Sequence, residues 1–252
     1  MRKLANCLVL LALAVFVLTA CPDGGQSPNT DSAGGVSGQG GSMARFAISG
    51  DYLYTVDHAS LNLFDISNPA DPQQKNHVPL QAGVETIFPF QEKLFIGTQR
   101  GMYIMSIENP ESPQVLSLYQ HVTSCDPVVT DGRYAYVTLR TGNACTVAVN
   151  QLDIVDIQDV RTPFLAKPYP MTNPMGLGVD GTLLFVCDDG LKVYDASNVM
   201  DLKLKRHFQI NAYDVIPDNG HLLVVGSDGL YQYTYDENAI KLLSKIDITA
   251  QP

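Results

Sequence analysis

Two short apolar segments alternate along the chain and recur five times. The first reads YLYTV at Tyr52, KLFIG at Lys93, YAYVT at Tyr134, LLFVC at Leu183 and LLVVG at Leu222, at steps of 41, 41, 49 and 39 residues. The second reads LNLFDIS at Leu61, MYIMSIE at Met102, LDIVDIQ at Leu152, LKVYDAS at Leu191 and LYQYTYD at Leu230, at steps of 41, 50, 39 and 39 residues. The two series march together, and the extra residues of the third unit fall between its two segments. Self-similarity at this period is the mark of a repeat architecture. The segments are short and rich in Val, Ile, Leu, Tyr and Phe, which predicts strands rather than helices. Turn signals frame them: Gly50-Asp51, Asp131-Gly132, Asp180-Gly181 and Asn219-Gly220 before the first segment, Asp189-Gly190 and Asp228-Gly229 after it. A less regular strand precedes each pair (Phe46–Ser49, Thr86–Pro89, Pro127–Thr130, Gly176–Val179, Asp214–Ile216). Another follows (Gln74–Leu80, Gln114–Tyr119, Phe164–Tyr169, Lys203–Ile210, Lys241–Ile248), so each repeat predicts four strands, A to D.

The first segment is apolar at nearly every position, whereas a sheet with one wet face alternates. Leu184 and Val186 point one way and Leu183 and Phe185 the other, so both faces need cover. Face-to-face stacking of small antiparallel sheets around an axis supplies it. The predicted fold is all-β: a five-bladed β-propeller of four-stranded antiparallel blades. A two-sheet sandwich is the alternative, and regular spacing argues against it. The blades fall at about 43–80, 81–121, 122–173, 174–210 and 211–252. The array begins in a strand A and ends in a strand D, so no strand exchange ties first blade to last, and an open arc stays in view.

The segments LDIVDI (Leu152–Ile157), LNLFDISNPADP (Leu61–Pro72) and LKVYDAS (Leu191–Ser197) resemble the LVIVD repeat, as does the third repeat from Cys125 to Cys145. That resemblance spans Met43 to Ile248 and implies an exported β-propeller-like protein of bacteria or archaea, often with a lipoprotein signal. It implies no activity. Repeats two and five depart from the pattern, with Ser106 and Thr234 in place of the motif Asp, and repeat five lacks the Asn-Pro turn.

Arg2 and Lys3, an apolar run from Leu8 to Leu18 and the ending Leu18-Thr19-Ala20-Cys21 read as a signal peptide over 1–20 with a motif resembling the bacterial lipobox. Cys21 is then the lipidation site and the link to a membrane. An ordinary signal peptide with a chance Cys is the alternative. Residues 21–42 are a lipidated, Gly/Ser-rich tether; about twenty such residues span roughly 25 Å. The folded domain is expected over 43–252. These features place the protein in the bacterial cell envelope, with the outer membrane as the expected site.

Composition narrows the function. Hydrophobic residues make up 45% of the 252, enough for a core, and the charge of −10 becomes −12 once Arg2 and Lys3 leave, which excludes electrostatic nucleic-acid binding. There is no HExxH, no His/Cys zinc pattern, no G-x-S-x-G elbow and no calcium loop, so no catalytic residue, metal site or cofactor is assigned. Asp65, Asp156 and Asp195 share one register at the end of strand C, where they cap a turn or, alternatively, ring a metal. Cys125 at the start of a strand A and Cys145 in the enlarged B-to-C hairpin fall on one face and are expected to form a disulfide, worth about 3 kcal/mol in the chain-entropy view. Cys187 reads as a buried free thiol. Long loops on a rigid scaffold collect binding residues. The candidates are Arg140, Thr141, Asn143, Asn150 and Gln151 in the insertion, with Asp126 and Arg100 beside it; His58, Asp189, Asp214 and Asp228 share that face. The expected role is a lipid-anchored binding or scaffold module for an envelope protein or glycan. The alternatives are a hydrolase with its site at the axial channel and a purely structural lipoprotein.

Overall fold

Hairpin chemistry at the turns sets the sheets. In the computed structural model, which describes residues 37–38, 40–121, 127–141 and 149–248, the pairs Asp189-Gly190 (φ 50° and 113°) and Asn219-Gly220 (φ 47° and 76°) both carry two consecutive left-handed residues. Two-residue turns of this kind match the twist of the flanking strands, and Asn, Asp and Gly accept that backbone most readily.

Five antiparallel sheets result. Blade 1 comprises β1 (Ser37–Gly38), β2 (Phe46–Ser49), β3 (Tyr52–Val56), β4 (Ser60–Asp65) and β5 (Gln73–Pro79). Blade 2 comprises β6 (Val84–Phe90), β7 (Lys93–Thr98), β8 (Gly101–Ser106) and β9 (Gln114–Gln120). Blade 3 comprises β10 (Val128–Thr130), β11 (Tyr134–Leu139), β12 (Gln151–Asp156) and β13 (Phe164–Pro170). Blade 4 comprises β14 (Pro174–Asp180), β15 (Leu183–Asp188), β16 (Leu191–Asp195) and β17 (Lys203–Phe208). Blade 5 comprises β18 (Ala212–Asp218), β19 (His221–Gly226), β20 (Gly229–Tyr235) and β21 (Ile240–Asp247). Strands run in sequence order within each sheet, and the first strands of successive blades pack on one another. The fold is the five-bladed β-propeller that the repeats predict. In every blade the register slips between third and fourth strands, at Leu63/Phe64, Ile104/Met105, Ile154/Val155, Val193/Tyr194 and Gln232/Tyr233. A bulge recurring at one place is a built feature that turns the outer strand.

The core is four interblade clusters. Tyr54 and Val56 meet Leu94 and Ile96 between blades 1 and 2; Phe95 and Ile104 meet Ala135 and Val137 between blades 2 and 3. Tyr136 and Ile154 meet Leu184 and Val186 between blades 3 and 4. Phe185 and Val193 meet Leu222, Val224 and Tyr233 between blades 4 and 5. In each second strand, alternate residues face the preceding and the following blade. Strand pairing corrects one alignment: Asp218 pairs His221 as Asp180 pairs Leu183, so the fifth segment starts at His221, not Leu222. A one-residue slip exchanges faces. Leu223 and Val225 therefore face away from blade 4, on the side where Leu53 and Thr55 of blade 1 face away from blade 2. Val225 is 37% exposed, against none for Leu94 and Leu184. Cover on both faces thus holds for blades 2 to 4, and no buried apolar cluster joins blade 5 to blade 1 among the described residues.

The ring is closed at its axis by the chain itself. Ser37 and Gly38 pair with Ser49 and Ile48 on the inner edge of β2, so the chain rises along the axis before it turns at residues 41–44. Ser42 is fully buried. Its hydroxyl donates to Asp214 Oδ1 of blade 5 at 2.9 Å and accepts the Leu177 amide of blade 4 at 2.8 Å. The Met43 amide reaches Asp214 Oδ2 at 3.4 Å. A Cβ on Gly41 would lie 2.1 Å from that same oxygen, so only Gly lets the backbone pass. Composition assigns residues 37–42 to the tether; in the structure Ser37–Gly38 pair with β2 and Gly41–Ser42 pack at the axis.

Candidate binding face

The connections from each fourth strand to the next first strand, and the turns between second and third strands, lie at one end of the blades. Between blades 4 and 5 this end opens into a groove of about 500 Å3. Asn173 and Met175 form one wall and Asp189 and Gly190 the next. The run Gln209–Tyr213 crosses from blade 4 to blade 5, and Ser227 closes the far side over a floor of Cys187. The volume lies in the range of about 300–1,000 Å3 usual for small-ligand clefts.

The walls are held from beneath. The Asp188 side chain is fully buried; its Oδ1 accepts the amides of Thr172 and Asn173 at 2.9 and 2.6 Å, and its Oδ2 binds Lys192 Nζ at 2.7 Å. Such a buried, fully bonded carboxylate fixes the backbone that presents Asn173. His207 Nε2 lies 2.6 Å from the Asp189 carbonyl, and the Gln209 amide nitrogen lies 3.1 Å from the same ring nitrogen. The Ser227 amide donates to the Asn211 carbonyl at 3.0 Å. Burial, reinforced by the nearby Asp214 carboxylate, pushes the Cys187 thiol well up, so it stays protonated.

At the axis the same end has a smaller mouth of about 120 Å3, lined by Arg45, Glu85, Pro127, Arg140 and Pro174 among others. Deeper in, among Ser42, Phe88, Val129, Leu177 and Val215, only about 10 Å3 remains. That space holds at most one water.

The sequence-predicted residues are spread over this face rather than gathered. Arg140 borders the axial mouth. Thr141 donates its amide and hydroxyl to Asn150 Oδ1 at 3.0 and 3.1 Å, and Asn150 Nδ2 donates to the Thr172 carbonyl at 2.7 Å. That pair closes the base of the insertion and ties it to the next crossover. Gln151 is spent on the buried Asp153, at 2.6 Å; burial raises that carboxyl. Arg100 sits in the turn between β7 and β8, its carbonyl accepting the His121 amide at 3.2 Å. Asn143, Asp126, Cys125, Cys145 and Cys21 lie outside the described residues. The groove residues Asn173, Gln209, Asn211, Tyr213 and Ser227 were missed. The signal was present: the crossover QINAY carries amides and an aromatic that no strand face needs.

The register of aspartates caps turns. Asp65 Oδ1 accepts the Ser67 amide at 3.0 Å, Asp156 Oδ1 the Gln158 amide at 2.9 Å and Asp195 Oδ1 the Ser197 amide at 2.9 Å. Side-chain and backbone donors on Ser67 lower the Asp65 carboxyl. Where Ser106 replaces Asp, its hydroxyl accepts the Glu108 amide at 3.3 Å. In repeat five the duty moves to Asp236, which accepts the Asn238 and Ala239 amides. Among the described residues no three His, Cys, Asp or Glu side chains come together as a metal would need.

The LVIVD-repeat family model matches residues 40–78, the axial segment and blade 1, so the chain carries an LVIVD repeat. No curated protein is a match. Among solved structures, a functionally unknown protein of Desulfotomaculum acetoxidans superposes with a TM-score of 0.65 at 10% identity, covering 81% of this chain and 69% of that one. The periplasmic gluconolactonase PpgL of Pseudomonas aeruginosa gives 0.60 at 15% identity over 79% and 68%. AztD of Citrobacter koseri gives 0.57 at 12% identity over 79% and 61%. These likenesses share the fold.

Proposed function

We propose that the chain is an exported, lipid-anchored binding module of the cell envelope that uses the groove end of its propeller to hold a ligand and performs no catalysis. The observation that carries this reading is the polar groove between blades 4 and 5. It is wide enough for a ligand and built on a rigid wall. The PpgL likeness, at 15% identity, lends the fold alone.

The axial segment supports a direction for the anchor. Ser37 pairs with Ser49, beside the hairpin at Gly50, and the chain reaches the groove end only at Met43. The chain from Cys21 therefore joins the propeller at Ser37, at the end opposite the groove. The insertion of repeat three, stapled by a Cys125–Cys145 disulfide, is a candidate second contact region.

Capture from intact envelopes tests the reading. The full chain, its Tyr213→Arg variant in the groove and its Thr182→Arg variant at the opposite end are compared as baits. A ligand held by the wild type and Thr182→Arg but lost with Tyr213→Arg supports the groove. Equal capture by all three, or none, overturns it. Replacing Cys21 by Ser is expected to abolish fatty-acid labelling and release the protein from membranes; retention on the membrane refutes the anchor.

A further inference from the structure

We infer that the groove between blades 4 and 5 takes a neutral saccharide, an inference that rests on the binding reading above and names its ligand class.

The groove holds unspent hydrogen-bonding capacity. Among the described residues, the side chains of Asn173, Asn211, Tyr213 and Ser227 have no intramolecular partner, and all four line the one groove. Gln209 spends its amide nitrogen on His207 and keeps its carbonyl oxygen. At the base of the repeat-three insertion, by contrast, the polar side chains are engaged: Thr141 with Asn150, Asn150 with Thr172, Gln151 with Asp153. A carboxamide presents donor and acceptor side by side. Its match is a pair of neighbouring hydroxyls, each of which both gives and takes a bond. Sugars carry that pattern around a ring, and Asn, Gln, Tyr and Ser repeat the complement of it along the groove.

The remaining surface fits the same ligand. Tyr213 is 42% exposed, and an exposed phenol ring offers an apolar face to the C–H face of a pyranose while keeping a polar tip. Met175, Ile210 and Ala212 add apolar wall. Charge excludes the competitors. Among the described residues no Lys or Arg lines the groove, and its one charged liner is Asp189, in a chain of net charge −10. An anionic ligand meets repulsion with no countercharge. A cationic ligand needs acceptors only and leaves the amide donors unpaired, which costs binding energy.

The test is titration calorimetry on the full chain in a sugar-free detergent. The probes are maltotetraose, cellotetraose and chitotetraose, with tetragalacturonate and spermidine as charged counterparts. At least one neutral tetrasaccharide is expected to saturate the protein below about 5 mM. Asn211→Ala and Tyr213→Ala are each expected to weaken it about tenfold, the loss of one hydrogen bond or one ring contact, with the thermal midpoint unchanged. Asn173→Ala is a second, independent removal from the opposite wall. Failure of every neutral probe, binding indifferent to these three variants, or tighter binding of tetragalacturonate or spermidine overturns the inference. If envelope capture still depends on Tyr213 while all sugars fail, the saccharide is wrong and the binding groove stands; if capture also fails, both fall.

Discussion

Replacing Ser42 by Ala tests whether the axial segment clasps the ring. The hydroxyl does two jobs at full burial: it donates to Asp214 at 2.9 Å and accepts the Leu177 amide at 2.8 Å. Alanine fits the space but does neither. A buried amide left without an acceptor costs about 1–3 kcal/mol, and losing a bond to a carboxylate costs about 1.5–3 kcal/mol. Residual bonding of Asp214 by the Met43 and Val215 amides limits the second term, so the expected loss is about 3–4 kcal/mol. Urea unfolding reads it as a lower midpoint at unchanged slope. Hydrogen exchange adds a local readout: the Leu177 amide, protected in the wild type, exchanges faster in the variant than its neighbours in β14. A loss below about 1 kcal/mol, with the Leu177 amide still protected, refutes the clasp.

Three further outcomes follow from the same geometry. Burial raises the Asp214 carboxyl above its ordinary 3.8, so between that value and its folded one the native state holds a proton the unfolded chain has released. Stability therefore falls as pH rises through that window. Asp214→Asn is expected to flatten that fall in pH-dependent urea melts, and a curve parallel to the wild type refutes it. Leu184→Ala, between blades 3 and 4, is expected to cost about 2–5 kcal/mol, whereas Val225→Ala on the uncovered face of blade 5 costs less than about 0.5 kcal/mol; equal losses in thermal melts show that a fifth packed interface exists. The denatured, non-reduced protein is expected to show Cys187 as its sole reactive thiol among Cys125, Cys145 and Cys187, and three reactive thiols deny the disulfide.

The repeats were legible because each unit must bury two faces with few residues. Strand segments at a near-constant period, with Gly or Asn at the turns, leave little choice of architecture. Boundaries such as Phe46–Ser49 stand as read. The misreadings share a cause: burial by something other than the pattern's own partner. The run Gly40-Gly41-Ser42 has the composition of a tether, yet its lack of side chains is what lets it fill the axis against Asp214. The fifth repeat was set one residue late because LLVVG has apolar residues on both sides of the slip, and only pairing with β18 fixes which side is inward. The seam has its own trace in the chain. Thr55 and Gln232 stand where the interior blades carry Ile or Val: Ile96, Val137 and Val186 for the first, Ile104, Ile154 and Val193 for the second.

The clasp and the groove are mechanically one. Blades 1 to 5 form a linear array in which each unit is stabilised by its neighbours, so the last unit has half the support of an interior one. Blade 5 gains a second attachment at the axis, where Asp214 grips Ser42 and Met43. Tyr213 is the residue before it and lines the groove, while Met175 lines both the groove and the axial mouth. Loss of the Ser42 hydroxyl therefore loosens the wall that carries Tyr213 without touching a groove residue. Ligand affinity is expected to fall in Ser42→Ala and to stay unchanged in Val225→Ala, which sits on the same blade away from the clasp. In that coupling the segment leading from the tether holds the binding face in shape.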